Sequence, residues 1–479
     1  MPVARPVVAV FCVAMWLQLV PLLWPREPEL FGPLGYTCVS QLVILASAIA
    51  YYVTRPMTDA MLPLQPAELA DLFMRVGVAE VLATLAYFVG YHVTLDQSVR
   101  RPRWSRVKAP AVVQADAAPV RWSGVRVALV CVVCAAVFIP SYAYFQSQVH
   151  ANITDATQLA AGKAVWREDP TLSWLHRGVA MGLVVPMLLL GYVLRDKRPS
   201  LWSLALVGAL ALALGFLSLR LGQRGTMIFF LATMVIIAHH LWRRIPFWAV
   251  LAMLFGGILL SNALGSIRRG EDQQTMSASA TRDPIEVLAN YEAERQHIAA
   301  IGVVLYTFPD RMDYLFGSSY IGLLVTPIPR WLWPEKNQYF LMRDTTIVWE
   351  LTGAPLPSGF PATMYANFGW LGLIVGQIVW GRCHRRLYEW ALANRANRNV
   401  LLLFAVMVVH VGPTLLQLAD AIQSVLPMAV AVWFVTLRPA GARRVAPFKL
   451  PRLASAGPAP APALPDAAAQ VRAARAEPG

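Results

Sequence analysis

Long apolar runs separated by short charged stretches restrict the chain to one class of fold. Only 14% of the 479 residues are charged and 57% are hydrophobic, whereas a soluble domain carries about 25% charged residues. A helix needs roughly 20 apolar residues to cross a bilayer, where its backbone groups must bond internally. We therefore predict an all-α polytopic membrane protein with about eleven spans, at 6–24, 34–53, 76–95, 125–145, 175–194, 201–219, 226–242, 247–265, 362–381, 400–418 and 422–437.

The positive charge of the chain is distributed so as to orient these spans rather than to bind nucleic acid. The formal net charge is +14, and most basic residues lie in short loops and in the C-terminal tail. Cytoplasmic loops are enriched in Lys and Arg. We therefore place five segments in the cytoplasm, 98–126, 195–198, 239–246, 382–398 and 438–452, which leaves the N-terminus and one long loop, 266–361, on the outer face.

Composition divides the chain into an integral membrane part, 1–437, and a tail, 438–479. The tail is basic at first and then rich in Ala and Pro, which predicts a disordered cytoplasmic segment. The five cysteines lie in predicted spans or in a loop assigned to the cytoplasm, which argues against an outer disulfide framework. The outer loops contain no cluster of Cys and His with metal-ligand spacing, so we predict no metal site.

The long outer loop contains one predicted helix with clear ends. Asp283 is suited to cap its N-terminus, Pro284 to occupy the first helical position, and Glu286 to complete a capping box. Pro309 is expected to end the helix near residue 307, because proline excludes the helical conformation from the residue before it.

The second half of this helix is predicted to be amphipathic. Glu294 and His297 lie four residues before apolar positions and extend the same stripe. A buried carboxylate or imidazole is costly unless it is paired or used, so a structural pair and an acid–base role are both open. The apolar residues recur at spacings of three and four and are Ile298, Ile301, Leu305 and Phe308.

Several cations lie on the predicted outer side, where positive residues are normally disfavoured. Arg224 follows a tight turn between two spans, Arg268 leaves the eighth span, and Arg330 and Lys336 lie in a proline-rich segment. Guanidinium groups bind phosphate oxygens through paired hydrogen bonds, which indicates a diphosphate site. Contact with anionic lipid headgroups is the alternative interpretation.

Three motifs resemble those of Wzy-type polymerases of O-antigen and related oligosaccharide repeat units. The turn Leu-Gly-Gln-Arg-Gly at 221–225 is similar to their arginine turn, and Pro-Ile-Pro-Arg-Trp-Leu-Trp-Pro-Glu-Lys at 327–336 to their proline–arginine signature. The sequence Tyr-Ala-Asn-Phe-Gly-Trp-Leu-Gly at 365–372 resembles the motif that opens their next helix. Family members often carry Glu two positions before that Tyr, where this chain has Thr363.

The resemblance implies a glycosyltransferase of the bacterial inner membrane that uses a polyprenyl-diphosphate donor. Its substrates would be undecaprenyl-diphosphate-linked oligosaccharides, its candidate partners a flippase and a chain-length regulator, and nucleic acid would play no part. No cofactor or metal would be needed, because cations of the chain stabilise the leaving diphosphate. Arg224, Arg330, Lys336 and Arg268 are the residues expected to bind it.

The reaction also requires a base that removes the proton of the attacking hydroxyl group. His297 and Glu294 are the expected candidates, with Glu271 and Asp272 as substitutes. A ligase that moves finished glycan from the same donor is an alternative function. A polysaccharide flippase or exporter, and a non-enzymatic subunit of an envelope complex, are alternatives of another class.

Overall fold

The computed structural model of the chain describes a set of α-helices. It describes residues 4–23, 31–54, 64–92, 122–149, 170–194, 199–220, 224–246, 283–295, 297–320, 359–395, 397–410 and 415–436, with a few isolated positions between 249 and 333. Within these residues the chain contains no strand. It divides into two compact units, Met1–Thr436 and Leu437–Gly479, and the second unit lies outside the described residues, so the disordered tail stays a prediction.

The described residues form twelve α-helices, with a short 3-10 turn at Ser318–Tyr320 between the ninth and the tenth. In chain order the helices are α1 Ala4–Leu23, α2 Pro33–Thr54, α3 Pro66–His92, α4 Gly124–Val149, α5 Pro170–Val193, α6 Leu201–Arg220, α7 Arg224–Leu241, α8 Pro284–Arg295, α9 His297–Thr307, α10 Gly359–Ala393, α11 Arg398–His410 and α12 Leu415–Thr436.

Six of the described helices contain a stretch long and apolar enough to cross a membrane, namely α1, α2, α3, α4, α6 and α10. Shorter apolar stretches lie in α5, α7, α9, α11 and α12. The chain is therefore an all-α polytopic membrane protein. The finer count of eleven spans stays a prediction, because most of 247–265 lies outside the described residues.

The ends of several helices meet at one end of the bundle, which we call the basic end. The indole N–H of Trp122, just before α4, donates to Oδ1 of Asn399 at 2.6 Å. The guanidinium group of Arg398 donates to the carbonyl oxygen of Leu194, just after α5, at 3.0 Å. Three of the five segments assigned to the cytoplasm, 98–126, 195–198 and 382–398, adjoin these helix ends, so their grouping on one side agrees with the contacts.

Helix α7 ends at this same basic end. The ring of His239 packs against Phe31, between α1 and α2, with centroids 4.6 Å apart, and Phe31 shares a buried apolar cluster with Trp122 and Leu194. Because α7 ends here, its first residue, Arg224, lies at the opposite end of the bundle. Helices α1 and α3 begin at that opposite end for the same reason.

Helices α3 and α10 cross at two glycines. A Cβ atom at Gly90 would lie 1.9 Å from the carbonyl oxygen of Ile378, and one at Gly381 would lie 2.2 Å from that of Tyr87. No other residue type fits such a close approach of two backbones. Beside the crossing, the Tyr87 hydroxyl and Nδ1 of buried His384 form a hydrogen bond of 2.8 Å.

The segment 382–398 was predicted to be a loop, and this prediction is wrong for most of its length. Helix α10 continues to Ala393. In this last part of the helix, Arg385 and Glu389 lie one turn apart and form an ion pair of 2.9 Å on the helix surface. Polar composition at the end of an apolar run therefore does not mark the end of the helix here.

The helix predicted in the long outer loop begins and ends as expected. The side chain of Asp283 accepts a hydrogen bond from the Ile285 amide at 2.8 Å, α8 begins at Pro284, and α9 ends at Thr307. The expectation of one amphipathic helix is nevertheless wrong in two respects. The segment forms two helices, and α9 is buried on every side rather than along one stripe, packing against α2, α3 and α10.

Candidate functional site

The loop after α9 meets α10 around residues 366 and 367, at the end of the bundle opposite the basic end. Helix α10 is broken inside, where Phe368 and Gly369 leave the helical conformation and Gly369 has φ +63°. We call residues 359–367 the short arm and residues 370–393 the long arm. A Cβ atom at Gly369 would lie 2.8 Å from the Tyr314 hydroxyl, so both its conformation and its surroundings require glycine.

The short arm folds back against the long arm. The rings of Phe360 and Trp380 stack with centroids 4.7 Å apart, although twenty positions along a straight helix would separate them by about 30 Å. A Cβ atom at Gly372 would lie 2.5 Å from the carbonyl oxygen of Met364. The motif at 365–372 therefore forms a helical hairpin, with glycines at its turn and in its closest contact.

Asn367 fastens this hairpin to the preceding loop. Its Oδ1 accepts hydrogen bonds from the Gly317 amide at 2.9 Å and the Ser319 hydroxyl at 3.0 Å. Its Nδ2 is 2.7 Å from both the Ser319 hydroxyl and the Thr363 carbonyl oxygen. The side chain is fully buried. We call Asn367 with Gly317, Ser319 and Thr363 the Asn367 clamp.

A second contact lies next to the Asn367 clamp. The Tyr320 hydroxyl donates to the sulfur of Met364 at 2.9 Å. Burial raises the pKa of Tyr320 to about 12, so the phenol stays protonated and remains a donor at neutral pH. Tyr320 packs against the cluster that contains Phe360. The chain thus leaves the described region at residue 320 and re-enters it at residue 359 beside the same contacts.

The segment 321–358 carries two of the predicted diphosphate-binding residues, Arg330 and Lys336. Both lie outside the described residues. The Asn367 clamp and the contact between Tyr320 and Met364 hold the two ends of this segment together, so it leaves from and returns to one place.

A polar group of side chains lies beside the hairpin. The Tyr365 hydroxyl donates to the carbonyl oxygen of Phe308 at 3.4 Å and is hydrogen bonded to Tyr314. The Asp310 carboxylate and the Arg75 guanidinium group are close enough to interact electrostatically with Tyr365. Asp310 was not among the predicted site residues, although its place directly after the helix-ending Pro309 could have drawn attention to it.

The candidate bases Glu294 and His297 lie where two helices meet. Glu294 is the penultimate residue of α8, and His297 is the first residue of α9. Their side chains lie outside the described part of the structure, so their roles stay predictions. The substitutes Glu271 and Asp272 also lie outside the described residues.

Glu292 shapes this junction and was missed by the sequence analysis. Its carboxylate accepts a hydrogen bond from the Ile298 amide at 2.9 Å. In a continuous helix six residues would advance about 9 Å along the axis, so the bond requires the chain to bend between α8 and α9. Glu292 is buried and caps the first turn of α9, where a negative charge is favourable.

The structure gives less information on the two other predicted cations, Arg224 and Arg268. Arg224 begins α7 at the end of the bundle that carries the Asn367 clamp, and its side chain lies outside the described atoms. Arg268 lies outside the described residues altogether. Thr363 is buried and its hydroxyl donates to the Gly359 carbonyl oxygen at 2.9 Å.

Comparisons with known proteins identify no relative. No family model matches the chain, no curated protein matches it and no solved structure matches it. Among the described residues, no group of three or more His, Cys, Asp or Glu is placed to hold a metal ion. Function is therefore inferred from the residues and contacts of this chain.

Proposed function

We propose that the protein is an integral membrane glycosyltransferase that joins undecaprenyl-diphosphate-linked oligosaccharide repeat units into a polymer. It would have about eleven spans, lie in the bacterial inner membrane and work at its outer face, with the segment 266–361 as an outer loop. A flippase that supplies the repeat units and a chain-length regulator are the partners that such a reaction would use. No cofactor or metal takes part in the proposed chemistry.

The observation that carries this proposal is the Asn367 clamp. It closes the base of the segment that bears Arg330 and Lys336, and it lies at the end of the bundle where Arg224 begins α7. Arg224 and the Asn367 clamp, which are far apart in sequence, are therefore at the same end of the bundle. Such an arrangement suits a diphosphate held at a membrane surface.

The proposed reaction exchanges one carbon–oxygen bond for another and transfers one proton from the acceptor hydroxyl to a base. The oxygen of an acceptor hydroxyl attacks the anomeric carbon of the donor, and the bond from that carbon to the diphosphate breaks. Arg224, Arg330, Lys336 and Arg268 would bind the leaving diphosphate and stabilise its growing negative charge.

A base must take the proton of the attacking hydroxyl. His297 and Glu294 are the first candidates, and Glu271 is a substitute from the same outer segment. Asp310 is a further candidate, because its exposed carboxylate lies beside the hairpin.

A reconstituted assay tests the proposal. Purified protein in liposomes would receive a lipid-diphosphate-linked repeat unit in the presence of EDTA, and products would be separated by length. We expect a ladder of longer lipid-linked products that is lost in Arg330→Ala and Arg224→Ala. Arg243→Ala is the matched control, because Arg243 stacks on Trp242 at the basic end and should leave the ladder unchanged.

Other outcomes would contradict the proposal in distinct ways. Transfer of glycan to a different acceptor, without a ladder, would indicate a ligase. Movement of the unaltered repeat unit across the bilayer would indicate a flippase or exporter. Loss of the ladder in Arg243→Ala as well would show that the effect of arginine removal is not specific to the proposed diphosphate site.

A further inference from the structure

Three aromatic side chains are exposed together next to the Asn367 clamp. Phe316 is 74% exposed, Phe368 44% and Trp370 37%. They flank one turn, since the Cβ position of Gly317, next to Phe316, lies 3.6 Å from Cζ of Phe368, and Trp370 follows Phe368 by two positions. We call Phe316, Phe368 and Trp370 the aromatic tip. Exposed aromatic surface of this size on a folded protein indicates a binding partner.

The backbone of Phe316 adopts a conformation that an aromatic residue rarely takes. Its φ is +44°, in the left-handed region that favours glycine. Hydrogen bonds on both sides hold it there. The amides of Leu315 and Phe316 donate to the carbonyl oxygens of Ala366 and Asn367 at 3.0 and 3.1 Å, and the next amide donates to the Asn367 side chain.

Glycine at position 316 would make the same turn without steric cost, so the turn alone does not account for phenylalanine. Most of the Phe316 side chain is exposed, and among the described residues its ring contacts that of Tyr314 edge-on, with centroids 6.3 Å apart. Backbone strain at an exposed residue is retained where the side chain serves a function. The ring of Phe316 therefore has its main partner outside the described part of the chain.

The aromatic tip continues a lipid-facing stripe of the long arm. Leu371, Val375 and Val379 are exposed at four-residue spacing on a helix that is a candidate membrane span. An exposed apolar stripe on a spanning helix faces acyl chains. The aromatic tip lies at the end of that stripe nearest the turn at Gly369. Aromatic rings are enriched at the boundary between the headgroups and the acyl chains of a bilayer.

We propose that the aromatic tip inserts into the phospholipid interface of the bilayer at the end of the bundle opposite the basic end. The only polar side-chain atom of the tip is the Trp370 indole nitrogen, which favours lipid over the hydroxyl-rich surface of a glycan. Charged residues of the same loop, Asp310 and Asp313, are exposed and remain on the aqueous side. The insertion fixes the depth of the Asn367 clamp, and this inference does not depend on the proposed function.

Spin labelling in liposomes measures the depth directly. The exposed or half-exposed native thiols Cys12, Cys131 and Cys383 would be replaced by serine, because the other two are buried. A nitroxide would be attached at Phe316→Cys and, in the matched control, at Asp313→Cys. We expect the label at 316 to collide at least several-fold more with oxygen than with aqueous nickel chelate, and the label at 313 to show the opposite preference.

A second measurement keeps an aromatic ring at position 316. Benzoylphenylalanine would replace Phe316 in the otherwise unchanged chain, and after irradiation in liposomes the products would be analysed by mass spectrometry. We expect crosslinks to phospholipid acyl chains. Nickel accessibility at 316 equal to that at 313, or crosslinks to the sugar of an added lipid-linked oligosaccharide, would overturn the proposal.

Discussion

Removing the side chain of Asn367 should strongly destabilise the contact between the loop after α9 and the hairpin of α10. Asn367→Ala leaves three partners without their hydrogen bonds, namely the Gly317 amide, the Ser319 hydroxyl and the Thr363 carbonyl oxygen. At about 1 kcal/mol of net stabilisation for each partner, the free energy of unfolding should fall by roughly 3 kcal/mol. Full burial of the side chain prevents water from replacing these bonds.

Two adjacent serines provide matched comparisons for this prediction. Ser319→Ala removes only the part of the Asn367 clamp that involves Ser319 and should cost about 1 kcal/mol. Ser318 is exposed, so Ser318→Ala should change the free energy of unfolding by less than about 0.5 kcal/mol. Because Ser319 and Asn367 bond to each other, the double variant should be less destabilised than the sum of the single variants.

The assay is reversible unfolding in mixed micelles with increasing dodecyl sulfate, followed by tryptophan fluorescence and helical circular dichroism. The expected order of stability is wild type and Ser318→Ala, then Ser319→Ala, then Asn367→Ala. If Asn367→Ala unfolded within about 0.5 kcal/mol of Ser318→Ala, the hairpin would not be held by the Asn367 clamp. Additive effects of Ser319→Ala and Asn367→Ala would show that their side chains do not interact.

Three further predictions use the same unfolding measurement. Because Phe316 has a positive φ, Phe316→Gly should be about 1 kcal/mol more stable than Phe316→Ala. Equal stability of the two variants would show that the backbone at position 316 is not strained. Glu292→Ala should cost about 2 kcal/mol, because the buried Ile298 amide loses its side-chain acceptor, whereas Glu292→Gln keeps an acceptor and should cost less than half as much. Gly90→Ala should cost at least about 2 kcal/mol, because its Cβ atom meets the Ile378 backbone. Gly208, with nothing within 4 Å of its Cβ position, is the control, and Gly208→Ala should be neutral or stabilising by up to about 1 kcal/mol.

Features decided by neighbouring residues were predicted well from the sequence. The cap at Asp283, the start at Pro284 and the stop before Pro309 depend on interactions within a single helical turn. The apolar runs likewise predicted most helices to within several residues. The end of α10 was missed because the ion pair between Arg385 and Glu389 stabilises a helix beyond the apolar run, which hydropathy alone does not register.

Features that depend on contacts across the fold were not predictable from the pattern. Asn367 was quoted as part of a motif, yet its role requires Gly317 and Ser319, about fifty residues earlier. Glu292 was overlooked because the stripe argument pointed to Glu294 and His297. The apolar residues of α9 recur at spacings of three and four, which also fits a helix buried on every side when the residues between them are small or apolar, as they are here.

The Asn367 clamp also gives a physical reason why, under the proposed function, the segment 321–358 could present cations to a diphosphate. Bringing the two ends of a chain segment together costs conformational entropy that grows with its length. The Asn367 clamp holds the two ends of 321–358 together before substrate binds, so this entropy is already lost when the substrate arrives. A site that is preorganised in this way binds its ligand more tightly. If the proposed function holds, Asn367→Ala should therefore raise the KM for the lipid-linked repeat unit several-fold under conditions where the variant is still folded. Ser318→Ala should leave KM unchanged. An unaltered KM in folded Asn367→Ala would mean that the Asn367 clamp stabilises the fold without organising the diphosphate site.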